Sequence, residues 1–457
     1  SGTVTTIATS PLFSSRLKQQ AIPCCFAVTE GCGTEKANRA GTVSPVMLQT
    51  RLHDFWVAPA PVATRSHAEV PTSTLRGAGA LAWPLAVILI VHRLFVLART
   101  GSVTDDFTTV WSAARRFVDR VPVYNEIYEH VDPHYLYNPG ATLLLSPLGM
   151  LPSMESARPF FILFNALCII AAVTWLTQLA GFRMSHPVLP IALALAFVTE
   201  AVTNTLVFSN INGVLLLALT AFIALFLARR DVGAGIVLGL AVVVKPMFAP
   251  LLVLPLMKMR WKVVACGVAV PVFLNVIAWP LTPGARDYID VVVPYLGITR
   301  DYANSSLAGF AVYFGMPAWA HTILFVVAAS AVAAAIIGLA RWRYSDEWLW
   351  LTLSTGVLLA GVCLLSSLGQ AYYSMMLFPA LFTVFHRASP LHTWPTWLGA
   401  ILCLAPLSWV TPDAILVGRW LNTFLPTFGW AVFIVAVASW VWSTQITSAP
   451  QKERTRQ

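Results

Sequence analysis

Two adjacent carboxylates lie near the start of the long polar stretch that follows the first apolar segment of the chain. Thr104-Asp105-Asp106-Phe107 follows an apolar segment that ends near residue 98. A partly desolvated carboxylate at a water–lipid boundary is basic enough to accept a proton from a hydroxyl group, and it could also bind a metal ion. Alternatively, both acids are solvated and cap the helix that follows. We predict a catalytic base at Asp105 or Asp106, and these residue types alone do not distinguish the two.

A lysine interrupts the long apolar segment 232–257. At Lys245-Pro246 the proline breaks the helical hydrogen-bond ladder, and a charged amine at this depth is costly. An ammonium beside a helix break can bind a phosphate, helped by the N-terminus of the next half-helix. A lysine that extends to the membrane surface is the alternative. Lys245 is therefore a candidate phosphate ligand.

The remaining candidate side chains are polar or aromatic and follow other apolar segments. Arg300 could provide a second phosphate contact, or it could pair with Asp301 and only brace its loop. Aromatic rings beside polar groups suit sugar binding, although tyrosines are also common at membrane interfaces. The candidate substrate-binding residues are His134, Tyr135, Tyr137, Asn210, Asn212, Asp301, Asn304, Tyr372 and Tyr373.

The composition indicates a membrane protein. Of the 457 residues, 57% are apolar and 11% are charged, and such an apolar surface requires a bilayer. The net charge of +9 is interpreted as positive-inside topology and affinity for anionic lipids, with no nucleic-acid partner. The seven cysteines form no Cys-x-x-Cys motif, and we predict neither a metal site nor a nucleotide cofactor. An enzyme of this kind would need an activated substrate delivered by a lipid.

The elements that position these residues are predicted to be helices only. We expect ten full spans, near 78–98, 156–179, 187–203, 211–228, 262–281, 319–340, 348–366, 373–386, 395–410 and 424–444. The arginines between spans fall on one side only if 232–257 enters and leaves on the same side, as two half-helices that meet at Lys245. Both termini then lie in the cytoplasm, and the acids face outward.

Three regions follow from this topology. Residues 1–76 are predicted to be a disordered cytoplasmic extension, because they are polar and show no sustained period. Residues 77–444 form the membrane domain, in which 99–155, a loop with helical segments of its own, and 282–318 face outward. Residues 445–457 form a cytoplasmic tail.

Several motifs together resemble a known family. Asp-Phe-x-x-Val at 106–110, Tyr124, Tyr-x-Tyr-x-Pro-Gly at 135–140 and Lys245-Pro246 resemble the GT-C polyprenyl-phosphate-dependent glycosyltransferases. More narrowly, they resemble family 87, which includes mycobacterial arabinofuranosyl- and mannosyltransferases. The segments 203–208, 210–213, 299–302 and 372–379 are similar to members that place α-(1→3) branches in arabinan. The resemblance covers residues 78–444.

The resemblance implies the GT-C fold and a periplasm-facing site in the plasma membrane. It also implies transfer of arabinofuranose from decaprenyl-phosphoryl-arabinofuranose to arabinan, with inversion, forming α-(1→3) branches in arabinogalactan and lipoarabinomannan. The family's base is an acid of the first outer loop, which corresponds to Asp106, with Asp105 as the next choice. No cofactor or divalent cation is implied, and no oligomeric state is predicted.

One departure from the family pattern concerns histidine. Mannosyltransferase relatives carry a histidine pair about seven residues before a proline, and here Tyr372 and Tyr373 precede Pro379 instead. Only His134 and His321 are candidates for an outer histidine. Two alternatives remain: a polyprenyl-phosphate-mannose-dependent mannosyltransferase, and a lipid transporter or flippase, because a lysine in a broken helix also suits a midplane transport site.

Overall fold

The computed structural model describes residues 57–61, 72–100, 105–129 and 133–447, and every regular element in these ranges is helical. The α-helices are α1 (Thr72–His92), α2 (Asp106–Val118), α3 (Pro139–Leu145), α4 (Met154–Leu179), α5 (Val188–Val198), α6 (Glu200–Val207), α7 (Asn212–Leu227), α8 (Asp231–Val244), α9 (Val253–Met257), α10 (Trp261–Leu281), α11 (Val293–Gly297), α12 (Leu307–Tyr313), α13 (Ala318–Ala340), α14 (Glu347–Leu365), α15 (Phe378–Leu381), α16 (Trp394–Leu404) and α17 (Ile415–Thr447). Short 3-10 segments are Ser146–Met150, Pro246–Leu252, Ala371–Leu377, Phe382–Phe385 and Pro390–His392. Two π-helical turns are Arg93–Leu97, which continues α1 into Ala98–Thr100, and Tyr288–Val292.

Six of the described helices are long and apolar enough to cross a membrane. They are Thr74–Leu97, Met154–Leu179, Trp261–Leu281, Ala318–Ala340, Glu347–Leu365 and Ile415–Thr444. A seventh span is possible if α5 and α6 count together, although they meet at an angle of 63°. The chain is therefore an all-helical, multi-pass membrane protein, as its composition indicates.

The expected number of ten full spans is not confirmed. In the run predicted at 373–386, residues 373–385 form consecutive 3-10 and α-helical turns, and α16 has 11 residues. At 1.5 Å per residue, such a helix extends about 17 Å, against about 30 Å of hydrocarbon. The run 187–203 is divided at Thr199, whose extended backbone (ψ 146°) caps α6. Hydropathy detects these apolar runs but not the breaks within them.

The broken hairpin is confirmed at its apex and at its two ends. Helix α8 ends at Val244, Lys245 has an extended backbone (φ −136°, ψ 106°), and Pro246 begins a 3-10 turn that leads into α9. At the other end, the Arg260 guanidinium forms an ion pair with Asp231, the first residue of α8. The segment therefore returns to the end from which it started.

Loops rich in basic residues meet at this same end. Glu347 accepts hydrogen bonds from Arg229, at 2.8 Å, and from Lys258, at 2.5 Å. The Asp346 carboxylate lies 2.9 Å from His386 Nε2. These are the loops that the charge pattern assigns to one membrane face. Since α8 contains 14 residues, this ion-pair cluster lies about 20 Å from Lys245 at the other end of the helix.

The predicted extension, 1–76, and tail, 445–457, lie mostly outside the described residues. Helix α1 begins at Thr72, before the predicted boundary at 77, and α17 continues through Thr447. In the short described stretch 57–61, the Ala58 N–H donates to the carbonyl of Arg341 at 2.9 Å. This part of the extension therefore contacts the membrane domain beside the basic loops.

Candidate active site

Asp105 caps helix α2 and is fully engaged in holding it. Its Oδ1 accepts hydrogen bonds from the Thr108 N–H, at 2.7 Å, and from the Thr108 hydroxyl, at 2.5 Å. Its Oδ2 lies 2.6 Å from Arg158 Nε, and only 3% of the side chain is exposed. With both oxygens occupied by donors, Asp105 fits the structural alternative considered above, that of a helix-capping acid.

Asp106 instead faces two cavities. Its Oδ2 accepts a hydrogen bond from Asn210 Nδ2 and a longer one, at 3.3 Å, from the Tyr372 hydroxyl. Among the described residues, no donor reaches Oδ1. Asp106 lines both a cavity of about 690 Å³ and a second of about 360 Å³. It is therefore a held carboxylate with one oxygen free to accept a proton.

The turn between α6 and α7 positions Asn210 against this carboxylate. The Asp106 N–H donates to the Phe208 carbonyl at 3.0 Å, which ties the start of α2 to the turn. Ser209 has a left-handed backbone (φ 49°) that reverses the chain before Asn210. On the far side, a β-carbon at Gly213 would lie 2.5 Å from the Asn165 carbonyl oxygen, so glycine allows α7 to pack closely against α4.

Lys245 lies at the helix break, 9% exposed, with only neutral partners among the described residues. Its ammonium donates to Asn212 Oδ1 at 2.8 Å, Asn210 Oδ1 at 3.1 Å and the Tyr373 hydroxyl at 3.4 Å. Asn210 thus bridges Asp106 and Lys245. A buried cation without a carboxylate partner is costly, and an anionic ligand would lower that cost.

Arg300 is the second cation of the smaller cavity and also lines the larger one. Its guanidinium lies 5.9 Å from the centre of the Tyr295 ring and 5.8 Å from that of Tyr302. No described carboxylate forms an ion pair with it. The smaller cavity therefore contains two cations, Lys245 and Arg300, that lack anionic partners within the described structure.

Tyr137 and His134 line the smaller cavity from the first outer loop. Burial, and secondarily the negative charge of Asp106, raises the pKa of Tyr137 well above its usual value, so its phenol remains protonated and cannot act as a base. His134 Nδ1 lies 3.5 Å from Glu126 Oε2, and its ring packs edge-on to Tyr295. Glu126 also accepts from the Tyr135 N–H at 3.0 Å and so shapes this loop.

Some predicted site residues lie away from both cavities. Tyr135 is buried, its hydroxyl 2.8 Å from that of Thr142, and burial raises its pKa. The Asn304 side chain is saturated by backbone groups, including the Gly369 N–H at 2.9 Å and the Ser367 carbonyl at 2.8 Å. Asp301 is exposed and His321 lies on α13, and neither lines either of these two cavities. Tyr135 and Asn304 therefore serve the structure of their loops.

Two groups of residues at the site were missed by the sequence argument. Arg158, at the start of α4, pairs with Asp105, and its membrane-boundary position could have identified it by the same cost argument as Lys245. Glu200, the first residue of α6, lines the larger cavity together with Asn204. Within the described ranges, no group of three or more His, Cys, Asp or Glu side chains could hold a metal ion.

A carboxylate open to two adjoining cavities, together with two cations that have no described counterion, suits a membrane-embedded transferase that uses an anionic, lipid-linked substrate. The comparisons with known proteins identify the family. Residues 135–367 match the model of glycosyltransferase family 87, so the chain belongs to that family and is a glycosyltransferase.

Three similar proteins bear the name α-(1→3)-arabinofuranosyltransferase. The Corynebacterium glutamicum protein is 50% identical over 79% of this chain and 87% of its own length. The Mycolicibacterium smegmatis protein is 40% identical over 78% of this chain and 83% of its own, and the Mycobacterium tuberculosis protein is 40% identical over 77% and 82%. No solved structure matches.

Proposed function

We propose that this enzyme transfers arabinofuranose from decaprenyl-phosphoryl-arabinofuranose to arabinan, with inversion, and so forms α-(1→3) branches in arabinogalactan and lipoarabinomannan. The observation that carries the proposal is the position of Asp106 between two cavities, one of which holds Lys245 and Arg300. The relatives' names support the sugar and the linkage. A lipid-linked sugar donor and a glycan acceptor follow as the substrate classes.

In the proposed reaction, Asp106 Oδ1 accepts the proton of an acceptor hydroxyl as the hydroxyl oxygen attacks the anomeric carbon. The new C–O bond forms while the bond between the anomeric carbon and the phosphate oxygen breaks, on opposite faces of the sugar. Decaprenyl phosphate leaves with the electron pair. Asn210 and Tyr372 hold the carboxylate in place through hydrogen bonds to Oδ2.

Lys245 and Arg300 stabilise the phosphate as its charge increases in the transition state. Such stabilisation is strongest where the cations are fixed in advance and water is scarce. Lys245 meets this condition because Asn210, Asn212 and Tyr373 hold its ammonium before any substrate binds. We place the site on the periplasmic face of the plasma membrane and both termini in the cytoplasm, because the basic loops meet at the opposite end of α8.

The direct test is a transfer assay with purified protein. Synthetic decaprenyl-phosphoryl-arabinofuranose and, separately, decaprenyl-phosphoryl-mannose are offered to a short α-(1→5)-arabinan, and the product linkage is read by NMR. Arabinose on a 3-hydroxyl is the expected product. Mannose transfer alone would contradict the proposed sugar, and lipid movement without transfer would contradict catalysis. The same assay with EDTA tests the absence of a metal requirement, since the proposed mechanism uses none.

Lys245→Met should raise the KM for the lipid-linked donor by about 10- to 100-fold, because a charge-assisted hydrogen bond contributes about 1.5–3 kcal/mol. The KM for acceptor should change little. The stability of the protein should be kept, since the substitution also removes a buried charge that has no anionic partner among the described residues.

Lys262→Met is the matched control for this substitution. Lys262 is exposed near the basic loops at the other end of the molecule, so the variant should keep the wild-type donor KM. Steady-state kinetics with varied donor at saturating acceptor separates the two variants. A donor KM unchanged in Lys245→Met would refute the phosphate role of this lysine.

A further inference from the structure

The larger cavity has a chemical character of its own. It shares Asp106, Arg300, Gln370 and Tyr372 with the smaller cavity. Its other polar lining residues do not touch the smaller cavity, and they include Glu200, Asn204, Tyr302, Ser408, Trp409 and Asn422. Asp106 therefore lies where a ligand in one cavity would meet a ligand in the other.

The two cavities differ in the charged residues that line them. Lys245 lines the smaller cavity and not the larger one, so the described lining of the smaller cavity has two cations and one carboxylate. Glu200 lines the larger cavity and not the smaller one, so the described lining of the larger cavity has one cation, Arg300, and two carboxylates. An anionic phosphate is therefore favoured in the smaller cavity and repelled by Glu200 in the larger one. A neutral polyhydroxy ligand suits the larger cavity.

Glu200 and Asn204 present hydrogen-bond acceptors to the larger cavity. They lie one turn apart on α6, and Asn204 Nδ2 donates to Glu200 Oε1 at 2.9 Å. No described residue donates to Glu200 Oε2 or Asn204 Oδ1, so both remain available. Carboxylate and amide oxygens in this arrangement can accept hydrogen bonds from the hydroxyl groups of a sugar ring. The hydrogen bonds to the carboxylate are stronger than those to the amide.

An aromatic wall completes the cavity. Trp409 is 45% exposed, and its backbone N–H donates to Asn422 Oδ1, at 2.9 Å, which fixes the main chain of the loop between α16 and α17. The approach of α17 is close, because a β-carbon at Gly418 would lie 2.4 Å from the Trp409 carbonyl oxygen. A fixed, half-exposed indole offers an apolar face for the C–H side of a sugar.

We propose that the larger cavity is the acceptor subsite, in which Glu200 and Asn204 bind hydroxyls of a neutral furanose oligosaccharide and Trp409 packs against a ring. This inference rests on the proposed function, since it assigns one of the two substrates to one of two cavities. It makes Glu200 a specificity-determining residue that acts on acceptor binding and not on the donor.

Glu200→Gln tests the assignment in the purified, full-length enzyme. The substitution removes the charge of the Glu200 carboxylate, which accepts hydrogen bonds from the sugar. It should raise the KM for a short α-(1→5)-arabinan by about tenfold or more and leave the KM for the lipid-linked donor unchanged. Glu155→Gln is the matched control, because Glu155 also lies in the first turn of a helix, α4, but is exposed and lines neither cavity. Trp409→Ala, in an exposed loop, should also raise the acceptor KM.

Direct binding separates the two proposals. Saturation-transfer NMR with the arabinan oligosaccharide, without donor, should show binding to wild type and to Glu155→Gln and weaker binding to Glu200→Gln. If wild type transfers no arabinose yet this binding pattern holds, the proposed function fails and the subsite stands. If wild type is active and Glu200→Gln keeps its acceptor KM, or loses affinity for the donor instead, the subsite assignment is wrong.

Discussion

Asp106→Asn should lower kcat by about 10²- to 10⁴-fold, the usual contribution of a positioned general base. An amide keeps the size of the carboxylate and can still accept hydrogen bonds from Asn210 and Tyr372, but it cannot take up the acceptor's proton. The KM for donor should therefore change far less than kcat. Single-turnover transfer with saturating donor and acceptor measures the chemical step directly.

Asp119→Asn is a matched control for this loss. Asp119 caps the other end of α2, and it is 44% exposed and paired only with Arg115 within the described structure. This variant should keep wild-type kcat, and both variants should keep the wild-type thermal unfolding midpoint in detergent. Turnover near wild type by Asp106→Asn would exclude this residue as the base.

The choice between Asp105 and Asp106 shows where sequence reasoning stops. The sequence shows two adjacent acids at a membrane boundary. It does not show which residue forms an ion pair with one of them. Arg158 reaches Asp105 from α4, and the same guanidinium contacts Ser209 Oγ at 3.1 Å. Such contacts between helices depend on packing, and hydropathy and spacing do not specify packing.

Lys245 was predictable for the opposite reason. The free-energy cost of burying its charged amine can be read from the segment itself, because a lysine in an apolar segment is costly whatever residues pack against it. The break after Val244 followed from Pro246, and the return of the segment to Asp231 followed from the charge pattern. By contrast, Asn304 was predicted from its residue type alone, and in the structure its amide holds the Gly369 and Ser367 backbone.

Breaking the ion pair between Asp105 and Arg158 should strongly destabilise the protein. Arg158→Met leaves the Asp105 carboxylate buried with Thr108 as its only donor among the described residues, and we expect a loss of about 3 kcal/mol in the free energy of unfolding. This is the lower end of the range for buried pairs, because Arg158 is 18% exposed. Denaturant titration in detergent micelles measures it.

Arg158 should also act on turnover, as a positioning residue. Arg158 connects Asp105, the cap of α2, to the turn that contains Asn210. It does so through hydrogen bonds to Ser209 Oγ and, at 3.2 Å, to the Val207 carbonyl. Asp106 is the first residue of α2 and is held by the same connection. Loosening this connection should lower kcat while the KM for donor stays near wild type, because Lys245 and Arg300 are not bonded to the pair.

The double variant Asp105→Asn/Arg158→Met separates stability from positioning. It removes both charges, and Asn can still cap α2, so most of the lost unfolding free energy should return. The kcat should remain low, because the connection to Ser209 is still missing. If kcat recovers together with stability, the pair is only structural. If Arg158→Met unfolds like wild type, the ion pair adds no net stability, and Asp105 is held by Thr108 alone.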